Sequence, residues 1–116
     1  NRLEVKIIDA LGRLGVTGQR AELPFEGAAI WAQLTTGQLF VSAGPTRTRG
    51  TDLTVIDERQ IEGIKVQRIQ YTSGPPVRHR FECSGDTYVV WGAVPPGAQD
   101  MDTFVARFIR ALGCAA

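Results

Sequence analysis

Between residues 77 and 114 the chain reads VRHRFECSGDTYVVWGAVPPGAQDMDTFVARFIRALGC. Val77, His79, Phe81 and Cys83 alternate with Arg78, Arg80, Glu82 and Ser84, the period of two that a half-buried strand requires. Ser84-Gly85-Asp86 has the chemistry of a tight turn. Thr87-Tyr88-Val89-Val90-Trp91 follows as a β-branched and aromatic run, so the two segments form a hairpin. Pro95-Pro96-Gly97 stops the second strand, and Met101, Phe104, Val105, Phe108, Ile109 and Leu112 then recur at helical spacing up to Gly113. Cys114 sits just past that helix, where a bond to Cys83 would tie the helix end to the first hairpin strand.

The cysteine count gives that bond weight. The chain has two cysteines, and both fall in this stretch. Closing a loop of about 30 residues would restrict the unfolded chain by roughly 3–4 kcal/mol in the entropy model. A Cys83–Cys114 disulfide and an oxidising compartment are therefore expected. The competing reading is two separate thiols, one buried beside Phe81 and one loose at the C-terminus.

Working outward toward the N-terminus, Ile61, Ile64, Val66, Ile69 and Tyr71 mark a long strand, ended by the turn Thr72-Ser73-Gly74-Pro75-Pro76. Its inward parity changes from Ile64 and Val66 to Ile69 and Tyr71, which predicts a bulge near Gln67-Arg68. Before it, Leu53, Val55 and Asp57 share a strand face, and Asp57-Glu58-Arg59-Gln60 reads as the intervening turn. Ala28 to Leu34 and Gln38 to Ala43, joined by Thr35-Thr36-Gly37-Gln38, form an earlier hairpin that Gly44-Pro45 breaks; Arg20 to Pro24 leads into it. Leu3, Ile7, Ile8, Leu11 and Leu14 place an apolar stripe on a helix from about residue 2 to 14, ended by Gly12, Gly15 and Gly18. The β-branched Val5, Ile7 and Ile8 make a strand over Leu3 to Ile8 the rival assignment.

One helix, about six strands in hairpin succession and one helix make an α+β fold. Short turns dictate antiparallel pairing, because parallel strands need long crossovers. The helices bracket the sheet and are expected on the same face. With 116 residues the chain fits one domain spanning residues 1 to 116, and its 43% hydrophobic and 22% charged residues argue against disorder. The net charge of +1 creates no long-range field, so only a local patch could attract a nucleic acid or a membrane. No apolar run approaches the roughly 20 residues of a membrane span. The chain begins at Asn1 without methionine, which suggests trimming or processing and a signal or anchor removed before that residue.

Catalysis and metal binding find little chemistry in the chain. His79 is the one histidine, and its parity with Phe81 and Cys83 makes it a structural, core-facing residue. Ser73 and Ser84 lie in turns, where serine serves the backbone. The two cysteines and one histidine lack ligand spacing, and Asp57, Glu58 and Glu62 lack the spacing of a calcium loop, so no metal and no cofactor is expected. Arg47 and Arg49, with Gly50 and the threonines around them, form a polar loop that could cradle an anion but lacks a nucleotide-loop ending. Arg78 and Arg80 project from the strand face opposite the core, and Arg68 joins them if its strand pairs in register. Such a row receives a carboxylate or phosphate bidentately, or is an ordinary solvated face offset by Glu58, Glu62 and Glu82. It has no stacking motif and the chain no basic excess, which speaks against nucleic acid. Trp31 reads as packing rather than a ligand platform.

The order of the long strand, the R-x-R-F-x-C strand from Arg78 to Cys83, the Tyr88-Val89-Val90 return and the Met101-to-Leu112 helix resembles Mog1/PsbP-like domains, especially extracytoplasmic lipoprotein and secretion-associated domains of high-GC actinobacteria. The likeness covers roughly residues 53 to 116. The first hairpin departs from it, since Pro24 and Trp31 are too far apart to supply the family's early proline-glycine-tryptophan phrase. The resemblance implies a non-enzymatic, secreted or membrane-tethered module that binds a protein, lipid or small anionic ligand in the cell envelope. It carries over no functional residue. The rival function is a structural or assembly subunit that pairs through Trp31, Phe40 or Trp91, and a small hydrolase built on His79 is third.

Overall fold

The computed structural model describes residues 1–22, 27–46 and 52–116. Helix α1 spans Arg2–Arg13, strands β1 to β7 span Gln19–Arg20, Ala28–Leu34, Gly37–Pro45, Leu53–Ile61, Ile64–Tyr71, Gly74–Cys83 and Asp86–Gly92, and helix α2 spans Met101–Leu112. The strands form one antiparallel sheet in the order β1-β2-β3-β7-β6-β5-β4. The fold is thus α+β, with seven strands rather than about six. The addition is β1, two residues long, which pairs with β2 beside Trp31 and Ile30.

The first helix forms because its ends are satisfied as well as its apolar face. The Asn1 side chain accepts from the Glu4 amide at 2.9 Å and the Asn1 backbone nitrogen donates to the Glu4 carboxylate at 2.8 Å, closing a capping box. Leu3, Ile7, Ala10 and Leu11 of α1 are buried. In α2, the Asp100 side chain accepts from the Thr103 amide, and Gly113 ends the helix in a left-handed conformation. Phe104, Val105, Phe108, Ile109 and Leu112 meet Ile7 and Leu11 of α1 and the same-face strand residues Ile30, Val41, Phe81, Tyr88 and Val90 in one hydrophobic cluster. Both helices therefore cover the same face. Cys83 and Cys114 are bonded, fastening the end of α2 to the end of β6.

Three local expectations give way to the observed register. Asp57 to Gln60 lie within β4, and the turn is Glu62-Gly63, whose φ angles of 54° and 77° suit a tight hairpin in which glycine takes the second position. Charges are tolerated in β4 because it is an edge strand, solvated on much of its surface. β3 continues through Pro45, which pairs opposite Asp86, so Gly44-Pro45 does not break it. The register shifts lie not at Gln67-Arg68 but between Val55 and Asp57 of β4 and, in the pairing of β5 with β6, between Ile69 and Tyr71. β5 keeps a constant alternation, with Val66 in the helix-side core and Ile69 buried on the opposite face. The apolar parity changed in the sequence because β5 buries residues on both sides.

The pairing of β3 with β7 is the long-range step in this topology. It seats Leu39 to Pro45 against Gly92 to Asp86 and joins the first hairpin to the β4-to-β7 meander. Gly92 has φ 107°, and a Cβ there would collide with the Gln38 carbonyl oxygen. The two strands come together that closely only because no side chain intervenes.

Candidate functional site

Among the described residues no helix lies over the second face of the sheet, and its side chains form a continuous row. Trp31 pairs opposite Phe40 and Phe40 opposite Trp91, carrying three aromatic residues across β2, β3 and β7. The Phe40 and Trp91 rings stack with centroids 5.4 Å apart and planes 16° from parallel. Arg78 on the next strand lays its guanidinium carbon 4.1 Å from the Trp91 ring centroid and 4.8 Å from that of Tyr71. Since β7 lies between β3 and β6, the order on this face is phenyl, indole, guanidinium, phenol. Planar groups at these separations attract through dispersion and the ring quadrupole. Beneath them Ile69 is fully buried and Val89 is 8% exposed, although neither belongs to the helix-side cluster.

Beside this row is a cleft of about 330 Å³. Its walls are Trp31, Phe40 and Trp91, and Ala21, Ala29 and Ser42 lie on the small-residue side. Ala29 and Ser42 are cross-strand partners one step along from the aromatic row, so alternation of large and small residues on β2 and β3 makes the depression. Ser42 brings the one side-chain hydroxyl.

Arginine chemistry on this face divides into two environments. No described carboxylate pairs with Arg78, and its Nε is buried without an acceptor. Arg80 donates from Nε and Nη2 to Gln67 Oε1 at 3.1 and 2.6 Å, while Gln67 in turn donates to Glu58. Arg78 and Arg80 thus share the face read from their alternation. Arg68 does not join them: it pairs opposite His79 on the helix side, because the register of β5 with β6 sets Gln67, not Arg68, beside Arg80. Arg47 and Arg49 lie outside the described residues.

Arg68 instead belongs to a second polar group, at the start of α2. Its guanidinium forks onto Asp57, and the hydrogen bonds it donates hold the Asp57 carboxyl below the usual aspartate range. Arg59 bridges Asp57 and Asp102, and the other oxygen of Asp102 is 2.7 Å from Nε2 of His79. His79 is 7% exposed. A carboxylate-bound imidazole is half of a general-base arrangement, yet among the described residues Asp102 is its one side-chain hydrogen-bond partner and no thiol is free. The arrangement closes charge upon charge and pins the first turn of α2 to β4 and β6.

The alternation of Arg78 and Arg80 was visible in the sequence. The aromatic row was not, since Phe40 and Trp91 are 51 positions apart and meet only through the β3–β7 register. A signal did exist in the parity of Trp31 and Phe40, which fall out of phase with the inward Ile30, Ala32, Leu39 and Val41. Comparison of the chain with protein-family models, curated proteins and solved structures returned no match.

Proposed function

We propose that the protein is a non-enzymatic binding module whose working surface is the helix-free face of the sheet, from the Trp31–Phe40–Trp91 cleft to Arg78 and Arg80. One observation carries the reading: an apolar cleft and an arginine without a described acidic partner occupy the same face. Ligand sites are typically concave and apolar with a few placed polar groups, and the volume lies at the small end of their range of about 300–1,000 Å³. The disulfide is compatible with an extracytoplasmic setting, as a secreted or envelope-tethered domain, and the Mog1/PsbP-like order of elements read from the sequence supports the same placement. Among the described residues no helix is long and apolar enough to cross a membrane.

The test uses the anionic dye 8-anilinonaphthalene-1-sulfonate and the variant Ala29→Leu, whose added methyl groups occupy the cleft. Dye fluorescence should rise on the native protein with a single class of sites and fall at least severalfold on the variant, with both proteins equally folded by circular dichroism. Native protein that leaves the dye dark, or a variant that binds it equally well, refutes the assignment. The rival reading is assembly, for Trp31, Phe40 and Trp91 are only partly buried on a face that no helix among the described residues covers. Sedimentation equilibrium over a concentration series decides it, since a monomer throughout removes self-association.

A further inference from the structure

We propose that the cleft and Arg78 form one site for an anionic single-chain amphiphile, an aliphatic chain ending in a carboxylate. The inference rests on the binding-module reading and adds the class of ligand. Size comes first: about 330 Å³ accommodates a small ring system or one chain, not a folded partner. Chemistry narrows it further. Indole and phenyl walls with alanines beside them suit hydrocarbon, whereas a sugar or nucleotide would bury many polar groups against the single hydroxyl of Ser42.

Charge selects the head group. The Arg78 guanidinium lies against the Trp91 ring, and that same residue lines the cleft. Tyr71 lies against the same guanidinium and holds the group in place. A planar fork already oriented by two rings receives a carboxylate in two parallel hydrogen bonds with little further ordering. Arg80, two residues along β6 on the same face, is bonded to the neutral Gln67 and adds positive potential. A chain seated in the cleft with its head reaching past the indole would satisfy both halves of the site, while a cationic head would be repelled.

Decanoate, decanol and decyltrimethylammonium, each kept below its aggregation threshold, separate the alternatives. Trp31 and Trp91 report binding through their fluorescence, and calorimetry gives stoichiometry. Decanoate should bind one to one and at least about tenfold more tightly than the other two, the scale of a single charge-assisted contact. Arg78→Gln should abolish that preference, bringing decanoate down to the affinity of decanol for the same variant, and Arg78→Lys should restore part of it. Equal affinity for all three chains, with Arg78→Gln unchanged, overturns the anionic class and leaves the cleft as a site. If no chain perturbs the tryptophans, both the inference and the binding face fail.

Discussion

Tyr88 is fully buried between Phe81, stacked at 5.3 Å, and Phe108, edge-on at 6.4 Å. Its hydroxyl has no hydrogen-bond partner among the described residues. An unmade hydrogen bond in a core costs about 1–3 kcal/mol, so the ring stabilises this site and the oxygen opposes it. Tyr88→Phe should leave stability unchanged or raise it by up to about 1 kcal/mol in urea unfolding. A loss larger than that would reveal a partner for the oxygen. Burial also raises the Tyr88 pKa above the ordinary tyrosine value. The folded chain then keeps a proton that the unfolded chain releases near pH 10, so this contribution is complete below about pH 10 and declines above it. The thermal midpoint should fall as the solution becomes more alkaline, and Tyr88→Phe should flatten that part of the curve.

Among the elements, the β3–β7 pair governs both the sheet and the proposed site. Gly92→Ala places a methyl group on the Gln38 carbonyl and forces a positive φ on alanine. Strain of this kind costs about 1–3 kcal/mol, and here it falls beside Trp91 and would widen the spacing of Phe40 from Trp91. Gly12→Ala in α1 is the contrasting change: a Cβ there meets nothing, so helix propensity should stabilise the protein by about 0.5–1 kcal/mol. Paired denaturation curves check both signs, and only Gly92→Ala should weaken dye binding in the cleft. The same element shows what sequence can disclose. Periodicity located α1, α2 and the hairpins β2–β3 and β6–β7, because each buries one side. β4 and β5 were harder, since charges in an edge strand imitate a turn and the two-sided burial of β5 imitates a bulge. Arg68 was to join Arg78 and Arg80 if its strand paired in register, and the register sets Gln67 beside Arg80 instead. Arg78 and Arg80 were placed by local alternation, whereas the cleft needed a register between strands remote in sequence.

At the scale of the whole molecule, both helices pack on one face, and the proposed binding site lies on the opposite side of the sheet. The disulfide belongs to the first side: Cys83 ends β6 and Cys114 follows α2, a separation of 31 residues. Loop-closure entropy assigns such a link about 3–4 kcal/mol, a large share of the about 5–15 kcal/mol that holds a domain together. Replacing both cysteines by serine should lower the unfolding free energy by about that amount with a single cooperative transition, since the hydrophobic cluster of both helices remains. Arg78, Trp91 and the cleft lie on the other side of the sheet. Dye affinity of the fraction still folded should therefore match the native protein, even where the thermal midpoint has dropped. A double variant with native stability would show that the link adds nothing to closure of the fold. One that stays folded but no longer binds would show that the helix side positions the aromatic row, and the division of labour between the two faces would be wrong.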